Sequence, residues 1–198
     1  MDYYLLRQDV AVVDKWVLGD IRHVDNWKFS DPPDSFMEPA AYVLDVRFDG
    51  VELDYTLAGY ASAPVLSRKA KDSLVGLPEV DEPYKNVVFE SVVIEGKKTS
   101  GSYYIMIVES QADCVDETKS KFEVYTTEDP VRPDLAGCYR AFYNLVIDGS
   151  RVGGKHIFRL KNYLGALVVS GEVKRRFEQA GVVGAIFESV NGDRVTVA

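Results

Sequence analysis

The sequence predicts an α+β fold, mainly antiparallel sheet with a few helices, in a single domain over residues 1–198. Three observations lead there. Short apolar runs with period-two alternation recur along the chain and end in Gly-, Asn- or Asp-containing turns, the pattern of half-buried strands and their connections. Aromatic side chains, which suit a pleated surface, are plentiful: twelve Tyr and nine Phe. Two serines, Ser67 and Ser170, each precede a short helical pattern closed by glycine, and a strand-like run follows both. The third observation also makes the chain readable as two similar halves, about 1–100 and 101–198, each with a Ser-capped helix followed by a strand.

Residues 3–6 form a first strand, whereas 10–17 mix Val and Trp with Asp14 and Lys15 and fit neither strand nor helix period. The stretch 23–39 is irregular because Asn26, Ser30, Asp31 and Pro32-Pro33 favour loops; Trp27 and Phe29 are expected to pin it to the core. From 42 to 48, Leu44, Val46 and Phe48 face one way and Asp45 and Arg47 the other. Asp49-Gly50 then predicts a type I′ hairpin with 51–55 as its return strand. Ser67 caps a helix over 68–75 that turns Ala70 and Leu74 inward and ends at Gly76. An acidic loop at 78–83 leads to strands at 86–95 and 103–108. A polar stretch over 111–121 precedes a short strand at 122–125, and Pro130 and Pro133 punctuate the loop beyond it.

The last third is the most regular. It reads as a strand at 141–147, a turn at Asp148-Gly149, and strands at 155–160 and 164–169 running into Ser170. The helix over 171–180 buries Val173, Phe177 and Ala180 at i, i+4 and i+7, turns Lys174, Arg175 and Arg176 outward, and has Gly181 at its C′ position. A strand at 184–190, a type I′ turn at Asn191-Gly192 and a return strand at 194–197 close the chain.

Charge narrows the function classes. With 31 acidic and 23 basic residues the net charge is −8, which argues against a nucleic-acid footprint and against an anionic membrane surface. It suits solubility and steering toward a basic protein. Cys114 and Cys138 form no CxxC pair and read as reduced structural thiols of a cytoplasmic protein. The sequence starts without a basic, apolar leader pattern, and no segment approaches the ~20 apolar residues of a membrane span.

No motif carries chemistry. Residues 149–155 fit the phosphate-loop spacing, but His156 stands where a hydroxyl must hold Mg²⁺, and a strand rather than a helix follows; a glycine-rich connection between strands is expected instead. His23 and His156 have no ligand partners at metal-binding spacing, so no metal or cofactor is expected. Asp113, Asp116 and Glu117 form an acidic knot around Cys114 without the alternation and glycine of a calcium loop. No Gly-x-Ser-x-Gly elbow occurs.

Several motifs together resemble a bacterial immunity-protein family of polymorphic toxin systems, typified by a myxobacterial member and formerly catalogued as a domain of unknown function. They are Tyr103-Tyr104, Asp113-Cys114-Val115-Asp116 and Ser120, then Leu145-Val146-Ile147-Asp148, Ile157-Phe158-Arg159 and Val168-Val169-Ser170, with Gly181 and Phe187 in the closing helix–strand unit. Tyr3-Tyr4-Leu5-Leu6-Arg7 and the Ser67 unit with Pro83-Tyr84 fit as well. The resemblance implies a cytoplasmic antidote that binds a cognate toxin, one with a basic surface, and catalyses nothing. Asp113, Asp116 and Glu117 are the candidate partner-binding residues, with Asp45, Asp49, Glu52 and Asp54 as a second set. The alternatives are an enzyme whose site only the fold assembles, and a small-ligand or scaffold module.

Overall fold

The computed structural model describes residues 1–26, 42–82 and 84–191. Trp27, Phe29, the Pro32-Pro33 pair, Pro83 and the expected return strand at 194–197 lie outside the described residues. The chain is mostly strand, with two α-helices and two mixed sheets, so the α+β expectation holds at that level.

Six strands form the first sheet: β2 (Val17–Ile21), β3 (Tyr42–Phe48), β4 (Tyr55–Ala58), β5 (Ala63–Ser67), β6 (Val87–Glu95) and β7 (Tyr103–Val108), in the order β2-β3-β6-β7-β5-β4. The β3–β6 pairing is parallel and the others antiparallel. The sheet curls until its edges meet, where the Gly59 N–H donates to the Leu18 carbonyl at 3.3 Å. Side chains fill the interior of this partial barrel, as small barrels require. Trp16, Leu18, Leu44, Val65, Ile105 and Ile107 are all buried there.

The second sheet contains β1 (Tyr3–Gln8), β8 (Gln111–Ala112), β11 (Ile157–Leu160), β12 (Tyr163–Ser170) and β13 (Ala185–Ser189), in the order β13-β1-β12-β11-β8. Helices α1 (Arg68–Asp72) and α2 (Gly171–Ala180) lie with the central core between this sheet and the barrel, contributing Ala70, Val173 and Phe177 beside Leu6, Leu66, Met106 and Val169. Strand β7 shows why 103–108 reads as an unbroken apolar run. Ile105 and Ile107 enter the barrel while Met106 and Val108 enter the central core, so both faces are covered. Strand β12 does the same with Val168 and Val169. Two further strands, β9 (Lys121–Val124) and β10 (Tyr139–Asn144), pair only with each other as an antiparallel ribbon.

Both serine caps form. Ser67 accepts from the Ala70 N–H at 3.3 Å and Ser170 from the Val173 N–H at 3.5 Å. Helix α1 is shorter than its pattern, ending at Asp72, but Ala70 and Leu74 are buried as expected. Helix α2 spans the expected residues with Gly181 at φ +63°, the left-handed conformation that suits a C-terminal glycine. Its Ala180 is only partly buried.

The units around the two helices share a pairing scheme. On one side Tyr103 pairs with Ser67 and Val92, and Tyr104 with Leu66 and Ser91. On the other Tyr3 pairs with Ser170, its carbonyl accepts from the Val190 N–H, and Tyr4 pairs with Val169 and Ser189. In each unit a Tyr-Tyr strand runs antiparallel between the strand before the helix and the strand after it. These units do not follow the division 1–100 and 101–198, because β1 belongs with α2 and β7 with α1.

Two expectations are corrected in this region. Asp49-Gly50 does not turn a hairpin: β3 pairs with β2 and β6, and β4 pairs with β5. Gly50 serves close approach instead. A Cβ there would sit 2.1 Å from the Asp14 carbonyl oxygen, which accepts from the Val51 N–H at 2.7 Å. Phe48, expected on the inward face, is 68% exposed at the end of β3, beside its register partner Val17.

Gly184 joins the barrel to the second sheet. Its φ is +98°, and a Cβ would lie 2.4 Å from the Tyr55 carbonyl oxygen and 2.9 Å from the Leu53 Cβ. Gly184→Ala is expected to cost about 3 kcal/mol, combining backbone strain and backbone contact. A urea-denaturation midpoint unchanged from wild type contradicts this.

Candidate functional site

The acidic knot forms on an anchored backbone. Cys114 is fully buried, and burial pushes its thiol up to about 11, so it packs as an apolar group rather than reacting as a nucleophile. Val115 bridges Ile147, the Asp148 N–H donates to the Cys114 carbonyl at 2.7 Å, and the Asp116 N–H donates to the Val146 carbonyl at 2.9 Å. These bonds fix a loop whose carboxylates line the surface. They also bring in Asp148, a fourth carboxylate that the sequence reading did not include.

Each carboxylate has an intramolecular partner. Asp113 pairs with Arg151 at 3.0 Å while its side chain stays 64% exposed; Arg151 also donates to the Val115 carbonyl at 3.1 Å. Asp116 accepts from the Thr118 hydroxyl at 2.6 Å and pairs with Lys119 at 3.0 Å, which holds its carboxyl at about 2. Glu117 accepts from the Tyr139 hydroxyl at 2.5 Å. Asp148 accepts from the Ser150 hydroxyl at 2.7 Å and the Ser150 N–H, which lower its pKa. Four carboxylates thus meet two cations, Arg151 and Lys119, in these pairs.

Asp116 sets a pH dependence. Its folded pKa lies below the unfolded value of about 3.9, so its contribution is present above that value and is lost as pH falls toward 2. The stability gap between wild type and Asp116→Asn should therefore shrink as pH falls from about 6 to about 2. Urea midpoints measured at both pH values check this, and a constant gap contradicts it.

The knot adjoins an aromatic cluster on the β9–β10 ribbon. Tyr139 packs at a tilt of 43° against Phe142 with centroids 4.8 Å apart, Phe122 meets Tyr139 edge-on at 5.1 Å, and Phe142 meets Tyr163 at 5.0 Å. Tyr143 and Val124 on the same ribbon are exposed, and the Tyr143 hydroxyl donates to Glu123. In the sequence Phe122, Phe142 and Tyr143 read as strand residues. Nothing local signals that they gather next to the acidic loop.

The second acidic set does not converge. Asp45 pairs with Arg22, which also reaches Glu95 at 2.9 Å. Asp49 pairs with Lys97 at 2.6 Å, and Glu52 accepts from Ser100 and from the Tyr103 hydroxyl. Asp54 pairs with Lys69 at 2.6 Å and accepts from the Ser67 hydroxyl and the Val183 N–H, tying α1 to the segment before β13.

The remaining candidates have local roles. The His156 ring hydrogen-bonds the Ser170 hydroxyl at 2.8 Å, and the His156 N–H donates to Glu79 at 2.5 Å. Ser170 is fully buried as the cap of α2. Residues 149–151 form a 3-10 turn, Gly153 and Gly154 have positive φ, and β11 follows, so the glycine-rich stretch is a connection between strands. An open trough of about 320 Å³ runs along the β6–β7 hairpin, lined by Ser91, Val93, Thr99 and Tyr104. Among the described residues no group of three His, Cys, Asp or Glu is placed to hold a metal, and no helix is long and apolar enough to cross a membrane.

No curated protein matches the chain. The profile of the immunity protein family (Imm11) does, over residues 26–192. That span takes in the barrel strands β3–β7, both capped helices, the acidic knot and the ribbon, and it bears out the family expected from the sequence motifs. The chain therefore belongs to the Imm11 immunity protein family.

Proposed function

We propose that this protein binds a cognate bacterial toxin in the cytoplasm and neutralises it by direct docking, without catalysis. Family membership over residues 26–192 carries the reading. The acidic knot of Asp113, Asp116 and Glu117, extended by Asp148, is the proposed contact for a basic toxin surface. Its carboxylates outnumber their cations, and complementary charge raises association rates and suppresses wrong partners. The intramolecular bonds of the knot support this role, since carboxylates already held in place lose little freedom on binding. Asp113 and Glu117 are the members to face the partner, because Asp116 and Asp148 cap their own turns. The similar units around α1 and α2 are read as one scaffold used twice, supported by their matching registers.

Co-expression tests the function. A cognate toxin domain is induced in a sensitive host with and without the protein. Growth is expected only when both are made. Continued killing with both proteins present in soluble form contradicts the reading.

A further inference from the structure

Strand β6 outruns its partner. The β6–β7 ladder ends at the pair Val92↔Tyr103, yet β6 continues to Glu95, paired on its other side with β3. The chain between β6 and β7 leaves the ladder because it is tied to the segment 49–52. Lys97 donates to Asp49 and to the Gly50 carbonyl, each at 2.6 Å, and the Ser100 N–H and hydroxyl donate to Glu52. Register fixes what this leaves open. The Glu109 N–H donates to the Asn86 carbonyl, so along the antiparallel ladder Val88, Glu90 and Val92 turn their N–H and C=O toward β7. Ile94 is next in that series, and as the register partner of Leu44 in a parallel pair it directs both groups away from β3. Neither group has a backbone partner among the described residues. They face the trough of about 320 Å³, which is lined by Ile94, Gly101, Ser91, Thr99, Ser102 and Tyr104.

We propose that this trough is a strand slot: it takes a short extended segment of the toxin, one residue of which exchanges both of its backbone hydrogen bonds with Ile94. The inference rests on the toxin-binding reading above and adds a contact on the barrel to the acidic knot. An unpaired strand edge is a template for another chain, and strand addition draws its affinity from main-chain bonds. The lining supports that mode. It offers the Ile94 backbone and the side chains of Ser91, Thr99, Ser102 and Tyr104, so a peptide main chain matches it, whereas an aliphatic group would leave these polar groups unpaired. Size limits the length. The volume equals that of on the order of ten waters, which suits a few residues rather than a whole strand. Charge does not select the segment, because Glu95 pairs with Arg22 at 2.9 Å and Lys97 with Asp49 on either side of Gly96. Shape disfavours a second copy of this chain. A two-fold contact sets the same surface against itself, and an edge recessed between β6 and residues 99–104 cannot reach its own copy. A segment that protrudes from a different surface can.

The probe is a cognate toxin domain made catalytically inactive, titrated into the full-length protein. Amide hydrogen exchange at Ile94, followed by NMR in the wild-type protein, is expected to slow at least about 10-fold in the complex, because the free N–H gains an acceptor. Ile94→Pro removes that donor at a position where the N–H faces away from the paired strand, the setting in which a sheet tolerates proline. It is expected to weaken binding roughly 10-fold, with the salt dependence of binding unchanged. Ile94→Val keeps the N–H while trimming the side chain, and should bind roughly 10-fold more tightly than Ile94→Pro. Equal exchange at Ile94 in the free protein and the complex, or equal affinities of the two variants, overturns the slot while leaving toxin binding intact; the exchange measurement decides alone should Ile94→Pro not fold. No binding by the wild-type protein overturns the underlying reading and the slot with it.

Discussion

Phe177→Ala is expected to remove about 4 kcal/mol of folding stability. Phe177 is 1% exposed and lies in the core shared by both sheets and both helices, with its ring edge-on to Phe187 at 6.1 Å. Truncation loses the transfer energy of the ring and leaves a cavity that can collapse only in part, because α2 is fixed at both ends by Ser170 and Gly181. Against a typical total of about 5–15 kcal/mol, that is a large share. The thermal midpoint should fall by roughly 8–16 °C for a chain of this size. A loss below about 1 kcal/mol in urea denaturation would show that the two sheets are not coupled through this side chain.

Reversing charge at the rim of the knot should lower toxin affinity most among surface changes, with little effect on folding. The double variant Asp113→Lys/Glu117→Lys changes the local charge by four units. Both residues can change without releasing the loop: Arg151 keeps its bond to the Val115 carbonyl, and the Tyr139 hydroxyl can turn to water. Affinity is expected to drop about 100-fold at low salt, chiefly through slower association, and by much less near 1 M salt, where the Debye length falls to about 3 Å. A loss that ignores salt points to a disturbed loop rather than lost steering. Unchanged affinity places the toxin elsewhere on the molecule.

What could be read from the sequence follows the range of each interaction. Strand β7 and helix α2 are legible because a continuous apolar run, capping and a C′ glycine act over a few residues. The pairing of β3 is not. Asp49-Gly50 offers a local hairpin, but Gly50 is committed to the backbone of Asp14, distant in sequence, and the parallel partner β6 lies farther still. Phe48 fits the alternation yet lies at the barrel end, where no layer covers it. The knot shows the same limit. Asp113, Asp116 and Glu117 are visible as neighbours in the chain, whereas Asp148 joins them through the Val115–Ile147 bridge, and the aromatic cluster joins through Tyr139.

The most direct test of the central claim is the activity of the purified toxin domain titrated with this protein. Neutralisation by docking predicts activity falling linearly to zero at one equivalent, with both chains recovered chemically unchanged from the complex. Inhibition complete at a small fraction of an equivalent, or activity untouched at several equivalents, would contradict it.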